Sequence, residues 1–241
     1  MLFVYKIYKN GNIRKNILQI CEKYSKIEIR QIADKLPILY SEKSMKIILA
    51  TKNDGKVREM ARILSKFNIE VISQKDADIN VDIEETGMTF RENAEIKAKA
   101  VAMLCDDAVL ADDSGLCIDA MGGNPGIYSA RYGGEALPYS EKIKGILLEM
   151  ENESDRRAHF ECAMVLVMPD GRIFSSTGRA DGRILYAPKG SGGFGYDSIF
   201  YSEDLNKSFG EATDDEKNSV SHRARALEDM CRQISQISCG E

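Results

Sequence analysis

Four carboxylates stand in two adjacent pairs, Glu84-Glu85 and Asp112-Asp113. Carboxylates drawn together can hold Mg²⁺ or Mn²⁺ with waters retained, and one of them can deprotonate a metal-bound water. Other routes to metal hydrolysis are thin. There are two histidines, His159 and His222, and the six cysteines contain no C-x-x-C, so a His-rich catalytic zinc site and a compact cysteine-zinc motif are excluded. D-D-S-G also lacks the D-x-D of an aspartyl-nucleophile phosphatase. Glu84-Glu85 precedes a helix, and Asp112-Asp113 reads as the end of a short strand over Ala108 to Ala111. Ligands bind at such strand ends in α/β sheets. An isolated acidic turn is otherwise a solvated one.

Three further segments carry chemistry. T-K-N-D-G-K, Thr51 to Lys56, reads as a strand–turn–helix. It is not a Walker A loop, yet a helix start with unpaired N–H groups suits phosphate. Lys56 in the first turn is unfavourable to the helix alone, and a bound anion would remove that conflict. G-S-G-G-F-G, Gly190 to Gly195, matches G-x-G-x-x-G literally but opens no helix, so a dinucleotide fingerprint is a poor reading. Phe194 beside Asp197 better suits a flat base, a ring to stack on and a carboxylate to accept from a ring N–H. Lys217, Ser221, His222 and Arg223 gather at a helix start, where cations can read a carbonyl or hold phosphate.

These residues need a scaffold to bring them together. Lys46 to Ala50 reads as a buried strand, followed by a helix with Val57, Met60, Ala61 and Leu64 on one face. Glu70 to Ser73 is a second strand, and Asp76 to Glu85 a loop. Thr89 and Glu92 form a capping box before the stripe Phe90, Ala94, Ala98, Val101, Cys105. Phe160 to Met168 and Arg172 to Gly178 flank the turn Pro169-Asp170-Gly171. Thr213 and Glu216 make a second capping box, with a last helix through Val220, Ala224, Leu227, Cys231 and Ile234. Alternating strands and helices with a hairpin predict an α/β domain with a mixed sheet.

With 241 residues, 43% apolar and 29% charged, the chain is of ordinary globular composition. Its longest apolar run, Cys162 to Met168, is far short of a membrane span. No secretory signal is visible, and scattered cysteines without one read as reduced thiols in the cytoplasm. Charge divides the chain: residues 1–44 carry a net +5 against a total of −5. Two short helices are predicted there, around Ile13 to Ile27 and Ile29 to Leu36. I-R-Q-I-A-D-K-L is faintly like the start of a helix-turn-helix, but no recognition helix follows. The chain is thus divided into a basic extension, 1–44, and a main domain, 45–241. Acidic balance argues against nucleic acid as a partner except through that extension.

Taken in order, T-K-N-D-G-K, E-E-T-G-M-T-F-R-E-N-A, A-D-D-S-G-L, G-G-N-P-G-I-Y-S-A-R-Y-G-G, G-G-F-G-Y-D and S-H-R-A-R-A-L resemble the inosine triphosphate pyrophosphatase family, also called XTP/dITP diphosphatases. The resemblance covers about residues 45–235. It implies a two-lobed α/β domain around a long twisted mixed sheet, a homodimer, and Mg²⁺-dependent hydrolysis of ITP, dITP or XTP to the monophosphate and pyrophosphate. By motif it implies that Thr51, Lys52, Asn53, Asp54, Gly55 and Lys56 bind the triphosphate. Glu84 and Asp113 would hold the metal, Asp113 would be the base, and Ser114 would touch substrate. Phe194, Gly195, Tyr196 and Asp197 would cradle the base, with Lys217, His222 and Arg223 completing the pocket. Lys52 departs from the glycine frequent there, and the extension inherits nothing. A silent nucleotide-binding module and a pyrophosphatase of modified pyrimidines stay as competing readings.

Overall fold

The computed structural model describes residues 45–65 and 69–237. Both helices expected within residues 1–44 lie outside them. Residues Met45–Cys231 form one compact unit, which holds the sheet and every site residue discussed below.

Seven strands form one sheet in the order β2-β1-β3-β4-β5-β6-β7. They are β1 (Met45–Leu49), β2 (Ile69–Ser73), β3 (Ala108–Ile118), β4 (Arg157–Val167), β5 (Ile173–Ile184), β6 (Phe200–Ser202) and β7 (Lys207–Ser208). Strand β1 pairs in parallel with both β2 and β3, and every other pairing is antiparallel. The sheet is therefore mixed, as expected. Sequence texture follows pairing: β3 is buried along nearly its whole length, whereas β5 alternates buried and outward residues because one of its faces is open.

Five α-helices pack on this frame among the described residues: α1 (Asp54–Leu64), α2 (Phe90–Ala102), α3 (Tyr139–Glu149), α4 (Asp214–Val220) and α5 (His222–Ile237). Thr89 caps α2 by accepting from the Glu92 amide, while the Glu92 carboxylate accepts from Met88 rather than from the cap residue. The capping box at Thr213 and Glu216 is complete. The single last helix expected from Val220 onward is two helices. Ser221 is extended, ending α4, and its hydroxyl accepts from the Ala224 amide to start α5.

Two cores use opposite faces and opposite ends of the long strands. Ala94, Ala98 and Val101 of α2 pack on Val109, Ala111 and Val165. Ile143, Ile146 and Met150, from and just beyond α3, pack with Leu116, Ile118, Phe160 and Phe200. Between these cores β3 carries Asp112, Asp113, Ser114 and Gly115.

The main correction to the sequence reading is here. Strand β3 does not end at the acids. It runs through them to Ile118, paired with β4 along the way. What ends is its other neighbour: β1 reaches only as far as Leu110. Past that point the edge of β3 faces the turn that leaves β1, so the acids border a cleft from mid-strand.

Candidate active site

A cleft of about 300 Å³ opens along that edge. Of the residues expected to act, Thr51, Lys52, Asn53, Lys56, Asp113, Ser114, Phe194, Gly195, Tyr196, Asp197, Lys217, His222 and Arg223 line it. Asp54, Gly55 and Glu84 are not among its lining residues.

Glu84 is displaced for a simple reason. From Val81 to Gly87 the odd residues are partly buried and the even ones exposed, the period of an extended chain. Glu85 therefore faces inward and lines the cleft, while Glu84 faces out. The Glu85 carboxylate lies 2.5 Å from the Lys97 ammonium, which also stands 3.8 Å from Asp113. Asn93, one helical turn before Lys97 on α2, donates to the other Asp113 oxygen at 3.1 Å. Burial and the nearby Glu85 charge push the Asp113 carboxyl up from its ordinary value, against the pull of Lys97 and Lys56. Two oxygen-ligand groups on one wall, one of them destabilised as an anion, are a donor set that suits a hard cation.

Asp112 faces the other way. Its Oδ2 lies 3.1 Å from Lys56 and 3.1 Å from Arg223, and it accepts from the Ser114 hydroxyl at 3.2 Å. Burial alone would raise its carboxyl, but those two cations hold it far below the usual carboxylate range. Lys56 is thus already compensated by a protein anion. The turn's amides are also committed, since those of Gly55 and Lys56 donate to the Asn53 side chain. Gly55 serves packing, because a Cβ there would lie 3.0 Å from the Phe194 ring. Lys52 is exposed and paired with Asp82.

The opposite wall is built around buried charge. Asp197 Oδ2 accepts from the Phe194 amide at 2.8 Å and from Lys217 at 2.7 Å, so this oxygen braces the glycine loop. The Lys217 ammonium sits 4.6 Å and the Arg223 guanidinium 5.3 Å from the centre of the Phe194 ring, both within cation–π range. Arg223 also spans Glu59 at 3.1 Å and the Ser114 hydroxyl at 2.7 Å. His222 stacks on Phe160 at 4.8 Å, buried, with Nδ1 unpartnered among the described residues. Burial, then Arg223 and Lys217, hold its pKa well below the ordinary value, so the ring is neutral. The Tyr196 hydroxyl donates to the Ser129 carbonyl at 2.8 Å. Ser129 in turn fixes the Leu116 amide.

The whole of this constellation falls inside a single family match. A model described as the Ham1 family fits residues 47–233.

The chain belongs to the Ham1 family.

Curated relatives include a protein of Treponema denticola named dITP/XTP pyrophosphatase, 48% identical over 193 residues, covering 79% of this chain and 98% of that one. Another of that name, from Geobacillus kaustophilus, is 43% identical over 197 residues, 81% of this chain and 97% of the other. Among solved structures, the Staphylococcus aureus Ham1 protein aligns with a TM-score of 0.71 at 36% identity, covering 80% of this chain and 99% of its own. A HAM1 protein from Coxiella burnetii gives 0.71 at 38%, with the same coverage.

Three residues of this Ham1 site escaped the sequence reading: Glu59, Asn93 and Lys97. Each left a signal. Glu59 lies on the buried face of α1 with Met60, Ile63 and Leu64, a face displaced from the stripe expected through Val57 and Ala61. Asn93 and Lys97 are polar and four apart beside the stripe Phe90, Ala94, Ala98. A polar side chain on an apolar helix face needs a partner, and here the partners are Arg223 and Asp113.

Proposed function

We propose that this protein hydrolyses non-standard purine nucleoside triphosphates, dITP, ITP and XTP, to the monophosphate and pyrophosphate. The observation that carries the reading is that one cleft is lined by two contact groups, Asp113 with Glu85 and Lys97, and Phe194 with Lys217 and Arg223 beside His222. The names of the relatives agree with it.

Glu85 and Asp113 would hold Mg²⁺, Mn²⁺ being the natural substitute. Such an ion supplies charge neutralisation on the phosphates and acidifies water. Glu85 takes the part that the resemblance gave to Glu84. Asp113 accepts the proton of the water that attacks the α-phosphorus. Lys56 and Lys97 border the phosphate side and offset charge that grows there in the transition state. Phe194, backed by two cations and Gly55, offers the base a stacking face.

Selectivity follows from donors. Hypoxanthine and xanthine present a carbonyl where adenine presents an amino group. The Arg223 guanidinium and the neutral His222 ring meet the carbonyl with N–H groups, and an adenine amino group leaves those donors unpaired. A buried mismatch of that kind costs about 1–3 kcal/mol. The implied homodimer and cytoplasmic location belong to the same proposal. No helix among the described residues is long and apolar enough to cross a membrane.

The test is pyrophosphate release from dITP, XTP, dGTP, dATP and dUTP, with Mg²⁺ and with chelator. Turnover of dITP and XTP, abolished by chelator, is expected. Preference for dUTP, or tight dITP binding without product, would overturn the assignment in favour of a pyrimidine enzyme or a silent binding module. Sedimentation of the full chain checks the dimer.

A further inference from the structure

A second cluster of ligand atoms lies on the same sheet, away from the carboxylate pair. Cys117 of β3 is directly opposite His159 of β4, and Glu161 lies two residues along β4 on the same face. One ligand atom from each, thiol, imidazole and carboxylate, lies within 4.8 Å of the others. Four buried side-chain polar atoms have no hydrogen-bond partner among the described residues. Of their residues, His222 lines the cleft, Glu59 lies behind it against Arg223 and Lys217, and one atom is the Ser176 hydroxyl. His159 Nδ1 is the fourth. The other His159 nitrogen stands 3.8 Å from Glu161, too far for a hydrogen bond. The imidazole is thus mostly buried on a sheet face with no protein group satisfying either nitrogen.

We propose that Cys117, His159 and Glu161 form a site for a borderline-soft divalent cation, of which Zn²⁺ is the best fit, distinct from the hard-cation position at Glu85 and Asp113. Ligand chemistry separates the two. Thiolate and imidazole favour Zn²⁺, whereas carboxylates alone favour Mg²⁺. Tetrahedral zinc with these bond lengths needs ligand atoms roughly 3.3–3.8 Å apart, which a small closure of the three side chains supplies. The charge balances as well. A thiolate, a carboxylate and a neutral imidazole around a dication sum to zero, which a half-buried site favours. Burial and then the Glu161 carboxylate push the Cys117 thiol up to about 11 without metal. Binding sends the thiol proton to solvent, and a water completes the fourth position. Metal here ties β3 to β4 four residues beyond Asp113, on the Asp113 face of the strand.

The test uses the full chain, stripped with chelator and titrated with Co²⁺ alone, then with Zn²⁺. We expect one thiolate-bound Co²⁺ per chain, seen as near-ultraviolet charge-transfer absorption and bleached by Zn²⁺. Zn²⁺ at about a hundredfold over Kd should raise Tm by about 5–10 °C. Cys117→Ser should abolish the band, and Cys105→Ser should leave it. His159→Gln should weaken Co²⁺ binding by about tenfold or more, since losing even an outer partner costs that much. Absence of a thiolate band, or its survival in Cys117→Ser, overturns the proposal. Should Cys117→Ser fail to fold, unchanged Co²⁺ affinity in His159→Gln overturns it equally. Carboxylate-bound Co²⁺ gives no thiolate band, so failure here leaves the dITP reading standing.

Discussion

Asp112 and Asp113 are neighbours in the chain and face opposite sides of one strand. Asp113 meets Asn93 and Lys97 of α2, whereas Asp112 meets Lys56 and Arg223. Strand alternation makes this unavoidable, and it gives two acids of one type different work. Asp112 is a buried anion that fixes two cations, and Asp113 is the carboxylate proposed to act as the base.

The two should separate on substitution. Asp113→Asn is expected to abolish pyrophosphate release from dITP with Tm nearly unchanged. Asp112→Asn leaves Lys56 without its buried counter-charge and Arg223 with Glu59 alone, a loss of about 3 kcal/mol or more. Thermal melts with turnover assays of both variants check this. A stable, inactive Asp112→Asn beside an unstable Asp113→Asn would reverse the roles.

Glu84 and Glu85 should separate in the same manner. Glu85→Gln is expected to shift the Mg²⁺ concentration for half-maximal turnover up by about tenfold, a change of about 1.4 kcal/mol. Glu84→Gln, on the exposed side, should leave it unchanged. A Mg²⁺ titration of dITP hydrolysis reads both, and a larger shift from Glu84→Gln would restore the original expectation for that residue.

Gly115→Ala tests the close approach behind the acids. A Cβ at Gly115 would collide with the Gly126 carbonyl oxygen and the Ser129 hydroxyl. The first is backbone and cannot rotate away. Destabilisation of about 2–4 kcal/mol is expected, measured by denaturant midpoint. A wild-type midpoint would show that the Gly126–Ser129 segment is not seated there.

Acid should weaken the fold through His222. Its folded pKa is lowered by burial, then by Arg223 and Lys217. Above the unfolded value of about 6.5 neither state binds the proton. As pH falls below that value the unfolded chain does and the native chain does not, so stability drops by up to about 1.4 kcal/mol per pH unit. Asp113 and Asp197 carry raised pKa values and act with the opposite sign, and His159 adds to the drop. The informative quantity is therefore the difference between wild type and His222→Gln across pH 7.5 to 5.0. It should shrink on acidification, and a constant difference would remove His222 from the account.

Much of the scaffold was legible in the chain because periodicity and caps are local. The strand at Lys46, the α2 stripe, the hairpin at Pro169 and the box at Thr213 needed only neighbours in sequence. Ordered motifs carried the family, and with it most of the cleft. What local reading missed was which way side chains turn and where strands stop. Extended spacing from Val81 to Gly87 turns Glu85 inward and Glu84 outward. Ser221 splits a helix that apolar spacing alone would have continued.

By itself the sequence determined the chemistry available: carboxylates in place of histidines, a glycine loop with one aromatic, cations near the end. It also determined the alternating α/β scaffold, because burial of periodic apolar faces is written residue by residue. Only the tertiary structure decided which groups meet. Arg223 reaches Asp112 across 111 positions of chain and Glu59 across 164. Such pairings depend on where β1 ends beside β3 and on which helix covers each face of the sheet. Those are relations between elements, and no stretch of sequence contains them.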